Sequence, residues 1–251
     1  MKTTDKTILI TGGTSGLGLG LALRFQAAGN RVIVAGRRRN LLDQIVRDNP
    51  GIEAIALDVA DPSSILRARE IVEERFPDVD VLINMAGIMQ PEDLHSDGFL
   101  ATAEATVTTN LLGTIRMVAA FTEFLQAKNE AVIMNVSSGL AFVPLAATPT
   151  YDATKSAVHG FTEALRVQLA DTSVEVLELI PPAVATTLMG QDQHEGGNAM
   201  PVDEYLDEVM SILGTRPDEK QVMVERVKML RYAEVDGTYD EILAMLAGAG
   251  H

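Results

Sequence analysis

The chain contains no cysteine, which excludes disulfides and any thiolate metal site. No apolar run approaches the roughly 20 residues that a membrane-spanning helix requires; each hydrophobic stretch stops at a polar residue or glycine. No charged-then-apolar leader precedes the first strand-like run, Thr7 to Thr11, so the expected location is cytoplasmic and no membrane partner is expected. Basic residues are in deficit, with 20 Lys and Arg against 35 Asp and Glu for a net charge of −15, which argues against nucleic acid as a partner. The deficit concentrates in residues 171–251, where 16 acids face 5 bases. That segment reads as a solvated acidic surface, with a docking face for a basic partner as the competing reading. No linker, internal repeat or low-complexity segment divides the 251 residues, so one domain is expected over 1–251.

Six nearly all-apolar runs alternate with helical patterns: Thr7 to Thr11, Arg31 to Ala35, Glu53 to Leu57, Val79 to Asn84, Ala131 to Ser137 and Val174 to Ile180. Strands without polar alternation are expected where helices cover both faces of a sheet. The fold class predicted is α/β, a Rossmann-type doubly wound parallel sheet. Beyond Thr186 the pattern loosens, and residues 187–251 read as a substrate loop followed by helices over Val202 to Leu213 and Tyr239 to Leu246, with a short strand near Gln221 to Val224.

Two patterns carry chemistry. The first strand runs into Thr11-Gly12-Gly13-Thr14-Ser15-Gly16-Leu17-Gly18. Gly12 permits a tight turn, Gly16 a close approach of backbone to a pyrophosphate, and Gly18 close helix packing, with the helix N-terminus facing the phosphates. The second pattern is Tyr151 and Lys155, four residues apart, with Ser138 thirteen residues upstream. Residues i and i+4 share a helix face, so the Lys155 ammonium is expected beside the Tyr151 ring, lowering the cost of a phenolate. A free phenol has a pKa of about 10 and needs such help to act near neutrality. Ser138 follows a strand, so its hydroxyl is expected at the carboxyl end of the sheet, where open α/β folds bind ligands.

These residues, with Asn84-Met85-Ala86-Gly87 after the fourth strand, resemble the short-chain dehydrogenase/reductase family over roughly residues 5–190. Ser137-Ser138-Gly139-Leu140-Ala141-Phe142, Asp171-Thr172-Ser173-Val174-Glu175-Val176 and Ile180-Pro181-Pro182 look like its DltE-like branch. The resemblance implies a catalytic set of Asn110, Ser138, Tyr151 and Lys155, no metal, and hydride transfer between a nicotinamide cofactor and a small-molecule alcohol, ketone or aldehyde. It implies cofactor contacts at Gly12, Thr14, Ser15, Gly16, Leu17, Gly18, Asp58, Val59, Asn84, Ala86, Gly87, Tyr151, Lys155, Pro181, Val184 and Thr186. The competing reading of Asp58 is a cap on the following turn, and that of Asn110 is a surface position. Met85 and Pro182 depart from the family pattern, which has asparagine and glycine there. Dimerisation or tetramerisation is also implied, through the helix ending near Leu125 and the one bearing Tyr151.

The cofactor is read from Val34-Ala35-Gly36-Arg37-Arg38-Arg39. An acid at the end of the second strand would bind a ribose 2′-hydroxyl. Gly36 stands where NAD-preferring relatives carry it, and Arg37 and Arg38 offer planar forks for a phosphate. NADP is therefore expected, with NAD as the possible alternative. Met89, Leu140, Phe142, Leu188, Met189 and Met200 are the candidate substrate pocket, with His194, Arg216 and Arg226 as candidate polar contacts. The competing functions are a non-catalytic dinucleotide-binding regulator and a nucleotide-sugar epimerase or dehydratase.

Overall fold

The computed structural model describes residues 1–188 and 199–248. Seven strands form one parallel sheet: β1 (Thr7–Thr11), β2 (Arg31–Gly36), β3 (Ile52–Ala56), β4 (Val81–Asn84), β5 (Ala131–Val136), β6 (Val174–Leu179) and β7 (Gln221–Val222). Their order in space is β3-β2-β1-β4-β5-β6-β7. After β3 the chain crosses back to lay β4 beside β1, where Thr11 pairs with Asn84 and the strand order reverses. A crevice opens at such a switch point beyond the carboxyl ends of the strands.

The α-helices among the described residues are α1 (Gly16–Ala27), α2 (Arg39–Asp48), α3 (Pro62–Arg75), α4 (Leu100–Thr106), α5 (Gly113–Gln126), α6 (Pro149–Gln168), α7 (Val202–Thr215), α8 (Lys228–Arg231) and α9 (Tyr239–Gly248). One face of the sheet packs Ile8, Ile10 and Val34 against Leu21 and Phe25 of α1, Leu42 of α2, and Tyr205 and Leu206 of α7. The other packs Leu9, Ile33 and Leu82 against Val72 of α3 and Met117 and Phe121 of α5. Every residue of β4 and β5 is buried, as the unbroken apolar runs require when both faces are covered.

The fourth strand begins at Val81 rather than Val79 because the Val79 N–H closes a turn onto the Phe76 carbonyl. The third starts one residue earlier than expected and ends at Ala56. Among the described residues no helix is long and apolar enough to cross a membrane.

Candidate active site

A cavity of about 600 Å³ opens at the carboxyl ends of β1, β4 and β5. Its floor at one end is the glycine loop. Gly12 and Gly16 hold positive φ of 68° and 51°, a region that penalises any residue with a Cβ. A Cβ on Gly12 would stand 2.8 Å from the Ala86 Cα, and one on Gly18 2.4 Å from the Gly12 carbonyl oxygen. The loop is therefore pressed between Met85-Ala86 and the first turn of α1. Thr11 locks this arrangement, its Oγ1 accepting from the N–H groups of Met85 and Ala86 at 3.1 Å each. Gly12, Thr14, Ser15, Gly16, Leu17 and Gly18 all line the cavity.

Ser15 precedes α1 without capping it. Its hydroxyl accepts instead from Arg38 at 3.1 Å, and the same Arg38 nitrogen donates to Thr14 Oγ1 at 3.0 Å. The first-turn N–H groups of α1 thus receive no side-chain cap from Ser15, the condition under which a helix start binds an anion. Arg37 and Arg38 both line the cavity. A Cβ on Gly36 would meet Thr14 Cγ2 at 2.7 Å, so Thr14 would have to shift before a larger residue could stand at that position.

Asp58 and Val59 line the same end. Asp58 also accepts from the Ala60 N–H at 3.0 Å, so the lining position and the turn-capping role coexist. Ala86, Gly87, Pro181, Val184 and Thr186 reach the cavity, and Pro182 does so too. The segment after β6 is held by the Ala185 N–H donating to the Met200 carbonyl at 2.9 Å and the Met200 N–H donating to that of Ala183 at 2.8 Å. Asn84 is not in the lining; it is buried and donates to Asn135 Oδ1 at 2.9 Å.

The candidate catalytic side chains converge where the strand β5 faces α6. Pro149 opens α6, a position where its missing N–H costs nothing. Tyr151 and Lys155 lie on this helix at 7% and 6% exposure, with Ser138 at 6%. Ser138 Oγ accepts from the Leu140 N–H at 3.1 Å, and Ser138 lies close enough to the Tyr151 phenol to oppose the effect of its burial. Lys155 Nζ donates to the Val136 carbonyl at 2.8 Å and lies 5.5 Å from the Tyr151 ring centroid.

Burial pushes the Tyr151 phenol up to about 12, against the opposing pull of Ser138. Burial likewise draws Lys155 down to about 8. The sequence led to the expectation of a phenol depressed by Lys155. In the protein desolvation of the phenol dominates, and the ammonium is committed to a backbone carbonyl.

Asn110 is buried, not at the surface, in a turn of π-helix over Val107–Leu112 between α4 and α5. Its side chain accepts from the Ile88 N–H at 2.8 Å and donates to the Ile88 carbonyl at 2.9 Å and to Thr154 Oγ1 at 3.3 Å. Gly87 is sandwiched beside it: a Cβ there would stand 3.3 Å from Asn110 Oδ1 and 3.9 Å from Lys155 Nζ.

The far end of the cavity is apolar. Met89, Leu140 and Leu188 line it as the sequence suggested, joined by Leu145, Leu230 and Leu246. Leu230 belongs to α8 and Leu246 to α9, and no local motif marked either. Phe142 lies outside the lining, stacked edge-on against His159 with centroids 4.8 Å apart, and Met200 is a buried core residue. Arg216 and Arg226 do not line the cavity. Met189 and His194 lie outside the described residues. The charged residues among the described lining are Arg37, Arg38 and Asp58 at the glycine-loop end and Lys155 at the junction.

An uncapped helix start over a glycine cradle, arginines beside it and a buried hydroxyl set at the far wall fit a nicotinamide dinucleotide. Comparisons with known proteins agree. Residues 6–196 match the family model for short chain dehydrogenases. The chain is 37% identical over 98% of both sequences to the uncharacterized oxidoreductase DltE of Bacillus subtilis. It is 35% identical to an NADP-dependent 3-hydroxy acid dehydrogenase of Schizosaccharomyces pombe, covering 72% of each chain. A short chain dehydrogenase of Burkholderia cenocepacia, solved with NADP, superposes with a TM-score of 0.80 at 27% identity, over 98% of this chain and 99% of that one. The chain belongs to the short-chain dehydrogenase/reductase family and is an oxidoreductase of that family.

Proposed function

We propose that this enzyme interconverts an uncharged, largely apolar alcohol with the corresponding ketone or aldehyde, using NADP in preference to NAD. The observation that carries the reading is the convergence of buried Ser138, Tyr151 and Lys155 in the wall joining a glycine-loop end to an apolar end.

The bound dinucleotide supplies a hydride donor or acceptor at C4 of its nicotinamide. Gly12 to Gly18 would hold its phosphates, Asp58, Val59, Ala86 and Gly87 its adenosine side, and Pro181, Val184 and Thr186 its nicotinamide side. Ser138 holds the substrate oxygen by hydrogen bonding. Tyr151 keeps its proton at neutral pH because burial raises it, which suits donation to a developing alkoxide in reduction. Lys155, drawn down to about 8, can restore that proton near neutrality, and Asn110, bonded at Ile88 and Thr154, would order the path behind it. Asn84 would act from behind the cavity through its pairing with Asn135. The preference for NADP is supported by glycine, not an acid, standing at Gly36, and by Arg37 and Arg38 in the lining. The substrate class is supported by Met89, Leu140, Leu145, Leu188, Leu230 and Leu246, which offer no partner for a carboxylate. Within the C-terminal segment, α8 and α9 would cover the substrate side through Leu230 and Leu246. The enzyme would be cytoplasmic and a homodimer or homotetramer.

The test is separate titration with NADPH and NADH, followed by loss of NADPH absorbance against aliphatic, aromatic and keto-acid carbonyls. Tighter NADPH binding with turnover of neutral carbonyls is expected. Arg37→Ala should weaken NADPH about 10-fold and NADH little. Equal weakening of both, or turnover confined to keto acids, would overturn the corresponding part.

A further inference from the structure

Strand β6 carries an acid, Glu178, at a position where its neighbours Leu177 and Leu179 are wholly buried. Glu178 itself is 0% exposed. A carboxylate in such a place is costly unless donors surround it. They do: Ser137 Oγ donates to its Oε1 at 2.5 Å, His159 Nδ1 lies 3.0 and 2.9 Å from its two oxygens, and Gln221 Nε2 donates at 3.1 Å.

These partners come from three elements, two of which carry the reactive groups. Ser137 immediately precedes Ser138 at the end of β5. His159 lies four residues beyond Lys155 and eight beyond Tyr151, so the three share one face of α6. One carboxylate therefore ties the strand that presents Ser138 to the helix that presents Tyr151. The tie is itself braced. Phe142 packs edge-on against His159, Arg231 stacks over Phe142 at 4.6 Å, and Arg231 Nε donates to Gln221 Oε1 at 3.2 Å. His159, Glu163 and Glu178 hold ligand-type atoms within 4.8 Å of one another. Ser137 and Gln221 donate into the Glu178 carboxylate, and Arg166 donates into that of Glu163 at 2.6 Å, so the cluster is held by hydrogen bonds.

We propose that Glu178 is a positioning residue which, by accepting Ser137 from the strand and His159 from the helix, fixes the separation of Ser138 and Tyr151. The inference rests on the proton-transfer roles proposed above for those two residues.

The experiment compares Glu178→Gln, Ser137→Ala and the double variant with the parent full chain, reading kcat, KM, NADPH affinity and thermal midpoint. Gln keeps one acceptor oxygen and turns the other into an N–H₂, so Ser137, His159 and Gln221 can no longer all donate to this side chain, at nearly constant shape. Each single variant should lose about 10- to 100-fold in kcat, the cost of a small misplacement, with NADPH affinity within about twofold. The double variant should be no worse than Glu178→Gln, because both changes break one link. Parent-like kcat per NADPH-binding site, with only the thermal midpoint lowered, would reduce Glu178 to a structural role and overturn the proposal. If Glu178→Gln does not fold, Ser137→Ala, which deletes one hydroxyl, decides alone. A readout that needs no substrate is amide hydrogen exchange in Ser137→Ala. Faster exchange is expected in both 138–142 and 149–156, and unchanged exchange there would count against the tie. If Tyr151→Phe remains fully active, the proton-transfer reading fails; if Tyr151→Phe is inactive while both single variants are active, only the positioning role fails.

Discussion

The two ends of the cavity are built from different material. The glycine-loop end is largely backbone: positive-φ glycines, an uncapped helix start, and Thr11 bonded to two consecutive N–H groups. Its cradle, Thr11 to Gly18, comes from consecutive residues, so that spacing is written in one stretch of chain. The apolar end is built from single side chains on distant elements, Leu145 after β5, Leu188 after β6, Leu230 on α8 and Leu246 on α9. The difference teaches that a backbone-built site tolerates few substitutions, whereas a side-chain-built one can change its ligand one residue at a time.

The largest expected effect lies at the junction of the two ends. Tyr151→Phe should reduce turnover by about 10³-fold, within the usual range for a lost general acid, and leave NADPH affinity within about twofold. Loss of binding in parallel with turnover would show that the junction belongs to the cofactor end. Next comes the comparison itself. Gly18→Ala puts a methyl 2.4 Å from the Gly12 carbonyl oxygen and should weaken NADPH by about 10- to 100-fold, the equivalent of an overpacked contact. Leu246→Ala should leave NADPH affinity unchanged and raise KM for an apolar carbonyl by about 10-fold, from lost apolar contact. A Leu246→Ala variant with weakened NADPH and unchanged KM would erase the division between the ends.

The smallest effect sharpens the junction. Burial raises Asp152 from 3.8 to about 7, against hydrogen bonds from Leu145 and Thr148, with the Glu92 charge adding to the rise. The folded chain therefore binds more protons than the unfolded one across that window. The contribution of Asp152 is fully present below about pH 4 and is lost as pH rises to about 7. Lys155 has the opposite sign. Burial lowers it from 10.5 to about 8, the unfolded chain binds more protons in between, and stability rises with pH over that range. In urea unfolding at spaced pH values, Asp152→Asn should flatten the acid-side slope and leave the alkaline limb intact. An unchanged acid-side slope would remove Asp152 from the account, and with it a titrating hold on the Leu145 turn that lines the apolar end.

Legibility in the sequence followed the same division. The strands fell within a residue or two of their expected bounds because full burial on both sheet faces leaves unbroken apolar runs such as Val81–Asn84 and Ala131–Val136. The short β7 and the start of α7 at Val202 were also readable. Asn110 was readable as a polar residue in an apolar helix, but the π-helical turn that buries it against Ile88 was not. Phe142 and Met200 were misjudged as pocket residues because adjacency to a motif does not fix which way a side chain packs. Glu178 left a signal that went unused, an acid between leucines that the sheet buries completely.

By itself, the sequence determined the parallel α/β framework, the glycine cradle and the pairing of Tyr151 with Lys155, since each rests on interactions between residues near in the chain or on a uniform demand for burial. Only the tertiary structure decided which leucines close the apolar end, that the Tyr151 phenol is raised by burial, and that one carboxylate joins Ser137 to His159. Those outcomes depend on desolvation and on contacts between residues far apart in the chain, and the local pattern carries neither.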